Sequence, residues 1–183
     1  MTTPVLRHAE PTRDGGACAA IYAPAVADGA TSFEEPPAPT PAEMAGRIAA
    51  TSRTHPWLVL EDAGRVVGYA YACPHRSRAA YRWAADVAIY VDSGYRRRGA
   101  GRRLYGALLE LMGRQGLRIA CAGIALPNPA SVGLHRAVGF ESVGTYRRIG
   151  WKAGAWRDVE WFELLLGDDA GPPAEPGAPV RLG

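Results

Sequence analysis

The chain has 183 residues, of which 48% are hydrophobic and 21% charged, as in one globular domain with a sizeable core. The net charge of +3, from 21 basic and 18 acidic residues, is too small to indicate a nucleic-acid partner by itself. No apolar run approaches the roughly 18 residues of a membrane span, and the first residues lack the basic-then-apolar order of a secretory signal. We therefore expect a cytoplasmic protein with no membrane partner.

Hydrophobic periodicity and turn residues predict alternating strands and helices. In the first third of the chain we expect a strand at 5–9, a helix that begins after Thr12 or Asp14, and a proline-rich loop at 36–41. A second helix follows at 41–51. Thr40 is suited to be its N-cap, with Pro41 at the first helical position and Glu43 at the capping-box position.

The remaining elements extend to residue 166. Strands are predicted at 57–61 and 66–72 around a hairpin turn, then at 87–91, 119–124, 140–148 and 156–166, with helices from Gly99 onward and at 129–138. This order predicts an α/β (α+β) domain with an antiparallel front and a parallel element near the middle. The domain is expected to cover 1–166. The Pro/Gly-rich tail at 167–183 is expected to be disordered or loosely draped, because it has few large apolar side chains.

The sequence offers no metal-ligand spacing. Its three cysteines, Cys18, Cys73 and Cys121, are far apart and are expected to be small buried thiols. The histidines His8, His55 and His75 also show no ligand spacing, so no metal site is predicted.

The segment 87–105 reads as a strand, a basic glycine-containing turn and a helix, with five arginines between Arg96 and Arg103. Gly99 and Gly101 allow close approach of the backbone, and the helix start offers unpaired amides and a positive dipole end. Together they indicate a pyrophosphate site. The pattern is neither a Walker A loop nor a dinucleotide fingerprint. Two alternatives remain open: a solvated helix start, and binding of a nucleic-acid backbone.

The pattern Arg96-x-x-Gly99-x-Gly101 after a strand resembles the acetyl-CoA motif of the GNAT superfamily of N-acetyltransferases. Residues 128–140 resemble the later helix of that family, which ends in Gly-Phe before the next strand. Within the superfamily the chain is similar to the phosphinothricin and methionine sulfoximine/sulfone N-acetyltransferases, in segments 31–36, 56–59, 68–72, 76–83, 126–128 and 154–159. The resemblance implies a GNAT fold, with a twisted, mostly antiparallel sheet that is splayed at the cofactor site and flanked by helices. It also implies a homodimer.

The resemblance implies which residues bind acetyl-CoA. One strand is expected to bind the pantetheine arm and to polarise the thioester carbonyl through backbone groups. The turn is expected to bind the pyrophosphate, and Asn128 to contact the cofactor while also serving as a helix N-cap. The predicted cofactor residues are Ile89, Tyr90, Val91, Arg96, Arg97, Arg98, Gly99, Ala100, Gly101, Arg102 and Asn128.

Two residues are catalytic candidates. The resembling enzymes carry a carboxylate, usually Glu, just before the cofactor strand, where this chain has Asp86. Aspartate is one methylene shorter, so its contact with the acceptor amine is either direct or through water. His135 matches a histidine of the phosphinothricin-type enzymes and is a candidate base, a candidate acid for the thiolate, or a packing residue.

The expected reaction is acetylation of a small primary amine that carries a carboxylate. Guanidinium groups bind carboxylates in two-pronged fashion, so Arg76 and Arg78 are expected to bind the acceptor, the alternative being a solvated loop pair. The predicted acceptor residues are Phe33, Arg76, Ser77, Arg78, Tyr81, Asp86, Val87 and Ala88. Two other functions stay open: acetylation of another amine, such as a polyamine or a protein N-terminus, and a non-catalytic acyl-CoA-binding regulatory module.

Overall fold

The computed structural model describes residues 3–27, 29, 31–167, 171 and 173–182. Four α-helices and seven strands alternate along this part of the chain. Their order is β1 (Val5–His8), α1 (Pro11–Ala27), α2 (Pro41–Thr51), β2 (Trp57–Asp62), β3 (Arg65–Pro74), β4 (Ala84–Val91), α3 (Ala100–Gln115), β5 (Ile119–Ala125), α4 (Pro129–Ala137), β6 (Glu141–Lys152) and β7 (Ala155–Leu165), with short 3₁₀ turns at Ala79–Tyr81 and Ser93–Tyr95.

The strands form one sheet in the order β1-β2-β3-β4-β5-β7-β6. All neighbours are antiparallel except β4 and β5, which run parallel. The parallel ladder is short: Ala84–Asp86 pair with Ile119–Cys121, and beyond them the two strands are no longer paired. The predicted mixed, mostly antiparallel sheet with a splay near its middle is therefore confirmed.

Strand alternation produces a separate core on each face of the sheet. On one face Leu58, Leu60 and Ala70 pack against α3, together with Leu104 and Leu108 of that helix. On the other face Trp57, Val59 and Tyr69 pack against α1 and α2. The helices thus flank the sheet on both sides, as expected.

Local signals explain where the first helices begin. The predicted capping box of α2 is present, since the Thr40 hydroxyl accepts the Glu43 amide and the Glu43 carboxylate accepts the Thr40 amide. Helix α1 begins at Pro11, earlier than predicted, and Asp14 lies inside its first turn. There the Asp14 carboxylate accepts the Glu10 amide at 2.7 Å and pairs with Arg7 at 2.6 Å.

The described part of the tail, 173–182, has no helix or strand but contacts the domain. The Glu175 carboxylate pairs with Arg82 at 2.7 Å, and the Ala174 carbonyl accepts the Trp83 indole N–H at 2.8 Å. Val180 and Leu182 pack against the core. The predicted boundary at 166 stays a prediction, and residues 168–170, 172 and 183 of the predicted tail lie outside the described residues. None of the described helices is long and apolar enough to cross a bilayer.

Candidate active site

The basic turn lies between the end of β4 and the start of α3. Gly99 is the N-cap of α3, with φ of +80°, and Arg97 is also in the left-handed region, with φ of +60°. No side chain of the described residues caps this helix, so the amides of its first turn lack intrahelical partners. The three residues Arg96, Arg97 and Arg98 are exposed around these amides. Unpaired amides, a helix dipole and exposed guanidinium groups fit a pyrophosphate.

The structure gives Gly101 a packing role. A Cβ atom at this position would lie 2.8 Å from Leu134 Cδ2 of α4. Gly101 therefore lets α4 approach α3 closely, whereas Gly99, whose ideal Cβ meets nothing within 4 Å, is required by its backbone conformation. The two positions of the motif thus require glycine for different physical reasons.

The segment Ile89, Tyr90 and Val91 lies in the splay. These residues keep their pairing with β3 on one side, to Ala70, Tyr69 and Gly68, and have no paired strand on the side of β5. A free strand edge can form main-chain hydrogen bonds with an extended ligand. The splay therefore fits the predicted position of a pantetheine arm.

Asp86 is the last paired residue of β4 before the splay, opposite Cys121. Its carboxylate accepts a hydrogen bond from His75 Nδ1 at 2.6 Å, and the two side chains are 30% and 16% exposed. Burial raises the pKa of the Asp86 carboxyl, while the hydrogen bond from His75 and the charge of Arg76 partly oppose this rise. A carboxylate with a raised pKa and a hydrogen-bonded imidazole, placed beside a splay in the sheet, is typical of proton-transfer sites.

Four of the predicted acceptor residues line one cavity of about 180 Å³ near this pair: Arg76, Ser77, Arg78 and Tyr81. The Arg76 guanidinium donates to the His75 carbonyl at 2.8 Å and lies 5.7 Å from the centre of the Trp161 ring. Among the described residues, no carboxylate lies within salt-bridge distance of Arg76 or Arg78. The cavity wall therefore presents two exposed guanidinium groups. A larger cavity of about 470 Å³ lies elsewhere, between His8, Ser52 and Pro179, and contains none of the predicted site residues.

His135 lies apart from Asp86, in a pocket made by α3, α4 and the two strands that follow. Its Nδ1 donates to the Ser131 carbonyl at 2.8 Å, so its Nε2 accepts from the Tyr105 hydroxyl at 2.8 Å. The ring also packs against Phe140 and Phe162. Burial lowers the pKa of His135. Both ring nitrogens take part in hydrogen bonds, which favours a packing role for His135. Its roles as acid or base stay predictions.

We expect His135→Ala to lower the free energy of unfolding by about 2–4 kcal/mol, because it leaves a cavity and an unpaired Tyr105 hydroxyl. Burial lowers the pKa of His135, so the unfolded chain binds the proton more tightly. The contribution of His135 to the free energy of unfolding is therefore lost as pH falls below about 6.5. The difference in stability between the wild type and His135→Ala should accordingly become smaller at acid pH. Urea denaturation measures both effects, with the exposed neighbour Arg136→Ala as control. A loss below about 1 kcal/mol with a large fall in turnover would indicate a chemical role instead.

The other predicted residues are placed as follows. Asn128 caps α4 by accepting the Ser131 amide at 3.1 Å, as expected. Ala88 shares a face of β4 with Asp86, whereas the Val87 side chain points into the α3 core, because side chains alternate along a strand. Only the backbone of Val87 can therefore contact an acceptor on the Asp86 face. Phe33 packs at Gly150 of β6, where an added Cβ would clash with its ring.

The site also contains a residue that sequence reasoning missed as a functional group, His75. Its signal is the register of β3 with β4, in which Cys73 lies opposite Asp86, so that His75, two residues further, is a diagonal neighbour on the same face. The donor atoms of His75, Asp86 and Cys121 lie within 4.8 Å of one another, although no metal site was predicted. Burial raises the pKa of the Cys121 thiol to about 11, so it is protonated near neutral pH.

Comparison with known proteins shows the family to which the chain is similar. The profile of the Acetyltransferase (GNAT) family matches residues 25–140. The chain is 41% identical over 124 residues to a phosphinothricin N-acetyltransferase of Streptomyces viridochromogenes, covering 68% of each chain. It is 36% identical over 148 residues to an L-methionine sulfoximine/L-methionine sulfone acetyltransferase of Pseudomonas paraeruginosa, covering 80% of this chain and 86% of the relative. A crystal structure of a GNAT superfamily phosphinothricin acetyltransferase from Sinorhizobium meliloti in complex with AcCoA superposes with a TM-score of 0.88, at 36% identity over 95% of each chain.

The fold, the basic turn at the start of α3 and the family match define the class of protein: the chain belongs to the GNAT family of acetyltransferases. It is an N-acetyltransferase, and GNAT acetyltransferases use acetyl-CoA as the acetyl donor.

Proposed function

We propose that the acceptor is the α-amino group of a small amino-acid-like compound, such as phosphinothricin or methionine sulfoximine or sulfone. The names of the relatives support this substrate class. The observation that carries it is the cavity lined by Arg76 and Arg78, which lack a carboxylate partner among the described residues and of which Arg76 contacts the carbonyl of His75, the partner of Asp86. Two guanidinium groups attract a carboxylate and repel a polycation.

Acetyl transfer requires a neutral amine, because an ammonium has no lone pair. Asp86 is the last paired residue of β4 before the β4–β5 splay, and its partner His75 precedes Arg76 of the cavity lined by Arg76 and Arg78, the arginine cavity. A proton removed at this point leaves the amine facing the thioester carbonyl that acetyl-CoA supplies. Backbone amides on the free edge of β4, around Ile89, Tyr90 and Val91, are suited to stabilise negative charge on the carbonyl oxygen.

Release of free CoA from acetyl-CoA with a panel of amines tests the proposal. We expect turnover with methionine sulfone, methionine sulfoximine and phosphinothricin, and little with spermidine or with a peptide that has a free N-terminus. Preference for the polyamine or the peptide would favour the second enzyme function. Tight binding of acetyl-CoA without turnover of any amine would favour the non-catalytic module.

Gly99 offers a direct test of the cofactor turn. Gly99→Ala places a Cβ at φ of +80°, which costs roughly 1–2 kcal/mol unless the turn rearranges. We expect acetyl-CoA binding, measured by calorimetry, to weaken about tenfold, since 1.4 kcal/mol is a factor of ten. Gly64→Ala is a matched control, because Gly64 has φ of +78° in the β2–β3 turn. It should lose similar stability with unchanged binding, and equal binding by the two variants would contradict the assignment.

We also propose that the enzyme is a homodimer that associates through the β6–β7 hairpin. Large apolar side chains are exposed on this hairpin: Val143, Tyr146, Ile149, Trp151, Trp156 and Leu165. Trp151 and Trp156 pair across the strands, with ring centres 5.4 Å apart, and are 58% and 57% exposed. A cluster of exposed aromatic residues fits a surface that a second copy covers.

Trp151→Asp is expected to raise the dimer dissociation constant at least about 30-fold, as for loss of a central aromatic contact worth about 2 kcal/mol. Sedimentation velocity over a range of concentrations measures this change. Val5→Asp is the control, because Val5 is 56% exposed on the opposite edge strand. A wild-type protein that stays monomeric at high concentration would contradict the proposal.

A cytoplasmic location and the absence of a nucleic-acid partner belong to the same proposal. The three free cysteines fit a reducing compartment. Retention of the protein on DNA at low salt, abolished by substitution of Arg96, Arg97 and Arg98, would contradict the second point.

A further inference from the structure

We propose that His75 takes the proton from the acceptor amine and that Asp86 holds its ring, so that the catalytic unit is a His75–Asp86 pair rather than a lone carboxylate. This inference rests on the proposed acetylation of an amine. The two side chains come from adjacent antiparallel strands or their ends, and Nδ1 lies 2.6 Å from Oδ1 of Asp86.

The hydrogen bond determines the tautomer of the imidazole. A carboxylate can only accept, so Nδ1 carries the proton that it donates to Asp86. In the neutral ring, Nε2 therefore has a free lone pair. Within the described residues Nε2 makes no hydrogen bond. This contrasts with His135, whose Nε2 accepts from Tyr105.

The ring is fixed in orientation by aromatic neighbours. Trp161 lies edge-on to it, with centres 5.9 Å apart at 84°, and Tyr81 lies edge-on at 5.8 Å and 65°. Gly123 lies opposite Trp161 on β5, and an added Cβ there would lie 3.2 Å from the Trp161 ring. Tyr81 and Arg76 also line the arginine cavity. The imidazole thus contacts both the Asp86 carboxylate and Tyr81, a residue of the cavity wall.

The imidazole also compensates for the aspartate side chain, which is one methylene shorter than glutamate. One oxygen of Asp86 already accepts from His75 Nδ1, and the ring offers a second, basic nitrogen beyond this contact. Carboxylate, imidazole and acceptor in series are the arrangement in which a carboxylate orients a histidine base and stabilises its protonated form.

Four other titratable or charged side chains lie near the pair: Cys73, Cys121, Arg76 and Tyr81. Cys73 of β3 and Cys121 of β5 have thiol pKa values that burial raises to about 11, so both are neutral. Arg76 adds a positive charge, Tyr81 contacts the imidazole through its ring, and Glu163 of β7 pairs in register with Cys121 and is exposed. The Asp86 carboxylate is the anionic group in hydrogen-bond contact with the ring.

The proton balance of the step is simple. The N–H bond of the acceptor ammonium breaks and its proton goes to His75 Nε2. The amine lone pair then forms the C–N bond to the acetyl carbon as the C–S bond breaks, and the second amine proton neutralises the thiolate. The imidazolium returns its proton to solvent, so one proton is released for each amide formed.

His75→Asn separates this role from simple support of Asp86. The asparagine amide lies near the Nδ1 position and keeps a donor for Asp86, but it removes the basic nitrogen. We expect kcat/KM for the acceptor to fall about 100-fold or more at pH 7, with the KM for acetyl-CoA unchanged. The dependence of kcat/KM on pH should differ from that of the wild type in this variant, because the nitrogen that takes the proton is gone. His75→Gln should behave alike, and His8→Asn, remote from the site, should match the wild type.

Retained kcat/KM and pH profile in a folded His75→Asn enzyme would overturn the inference and leave Asp86 as the base. Thermal unfolding verifies that both His75 variants fold, and EDTA in all assays removes any metal held by His75, Asp86 and Cys121.

A ¹⁵N NMR spectrum of the imidazole rings gives a readout that needs no acceptor. We expect the Nδ1–H tautomer for neutral His75 and a mixture of both tautomers in Asp86→Ala, which removes the acceptor of this hydrogen bond. An Nε2–H tautomer in the wild type would overturn the inference even if the amine panel succeeds. Failure of the whole amine panel with the expected tautomer would instead contradict the proposed acceptor.

Discussion

Replacement of Asp86 by alanine is expected to lower kcat/KM for the acceptor by about 10³-fold, within the range typical of lost acid–base groups. The substitution removes the carboxylate that holds the His75 ring through a hydrogen bond of 2.6 Å. Steady-state kinetics with methionine sulfone measures the loss. The KM for acetyl-CoA should stay within about twofold, because the basic turn before α3 lies beyond the other end of β4.

Asp86 also determines how the rate of the wild-type enzyme depends on pH. Burial raises the pKa of Asp86, so its carboxylate is protonated at a higher pH than that of an exposed aspartate. The rate should therefore fall toward acid, as protonation weakens the hydrogen bond to His75 and the acceptor stays an ammonium. Glu110→Ala, which removes an exposed carboxylate of α3, is the control. An unchanged rate and profile in Asp86→Ala would refute the assignment of Asp86 to proton transfer.

The double variant Arg76→Ala/Arg78→Ala is expected to raise the acceptor KM about 100-fold with little change in kcat. A hydrogen bond between charged groups contributes about 1.5–3 kcal/mol, and the loss of two such groups is partly offset by solvent at this exposed wall. Initial rates with methionine sulfone and with its carboxamide test whether the two arginines bind the carboxylate of the acceptor. The wild type should prefer the carboxylate strongly, whereas the double variant should discriminate little.

Arg114→Ala is a suitable control, because Arg114 is an exposed arginine of α3 that pairs only with Glu110 among the described residues. An equal loss with the carboxylate and the carboxamide would mean that the arginines maintain the loop rather than bind the substrate. An unchanged acceptor KM would contradict the carboxylate site altogether.

The parts of this protein that short-range sequence signals determine were predictable. Thr40 and Glu43 are three residues apart and form the predicted capping box, and the strand–turn–helix around Gly99 appears as expected. Their spacing encodes the geometry because the contacts lie within one turn of chain. The proximity of Arg76, Ser77, Arg78 and Tyr81 was also predictable, since they are close in sequence, and they line one cavity.

The parts that depend on packing between distant elements were not. The pairing of His75 with Asp86 requires the register of β3 against β4, which one sequence does not reveal. The hydrogen bond and the packing of the His135 ring depend on Tyr105, 30 residues earlier, and on Phe162. Contacts of the tail, such as Glu175 with Arg82, join residues 93 apart and come from a segment with almost no hydrophobic pattern.

The most direct test is to incubate the enzyme with acetyl-CoA labelled with ¹³C in the acetyl group and with L-methionine sulfone, and to locate the label by mass spectrometry and NMR. We predict one labelled acetyl group on the α-nitrogen for each molecule of CoA released. Release of CoA without an acetylated amine, or no label transfer to any carboxylate-bearing amine of the panel, would contradict the account.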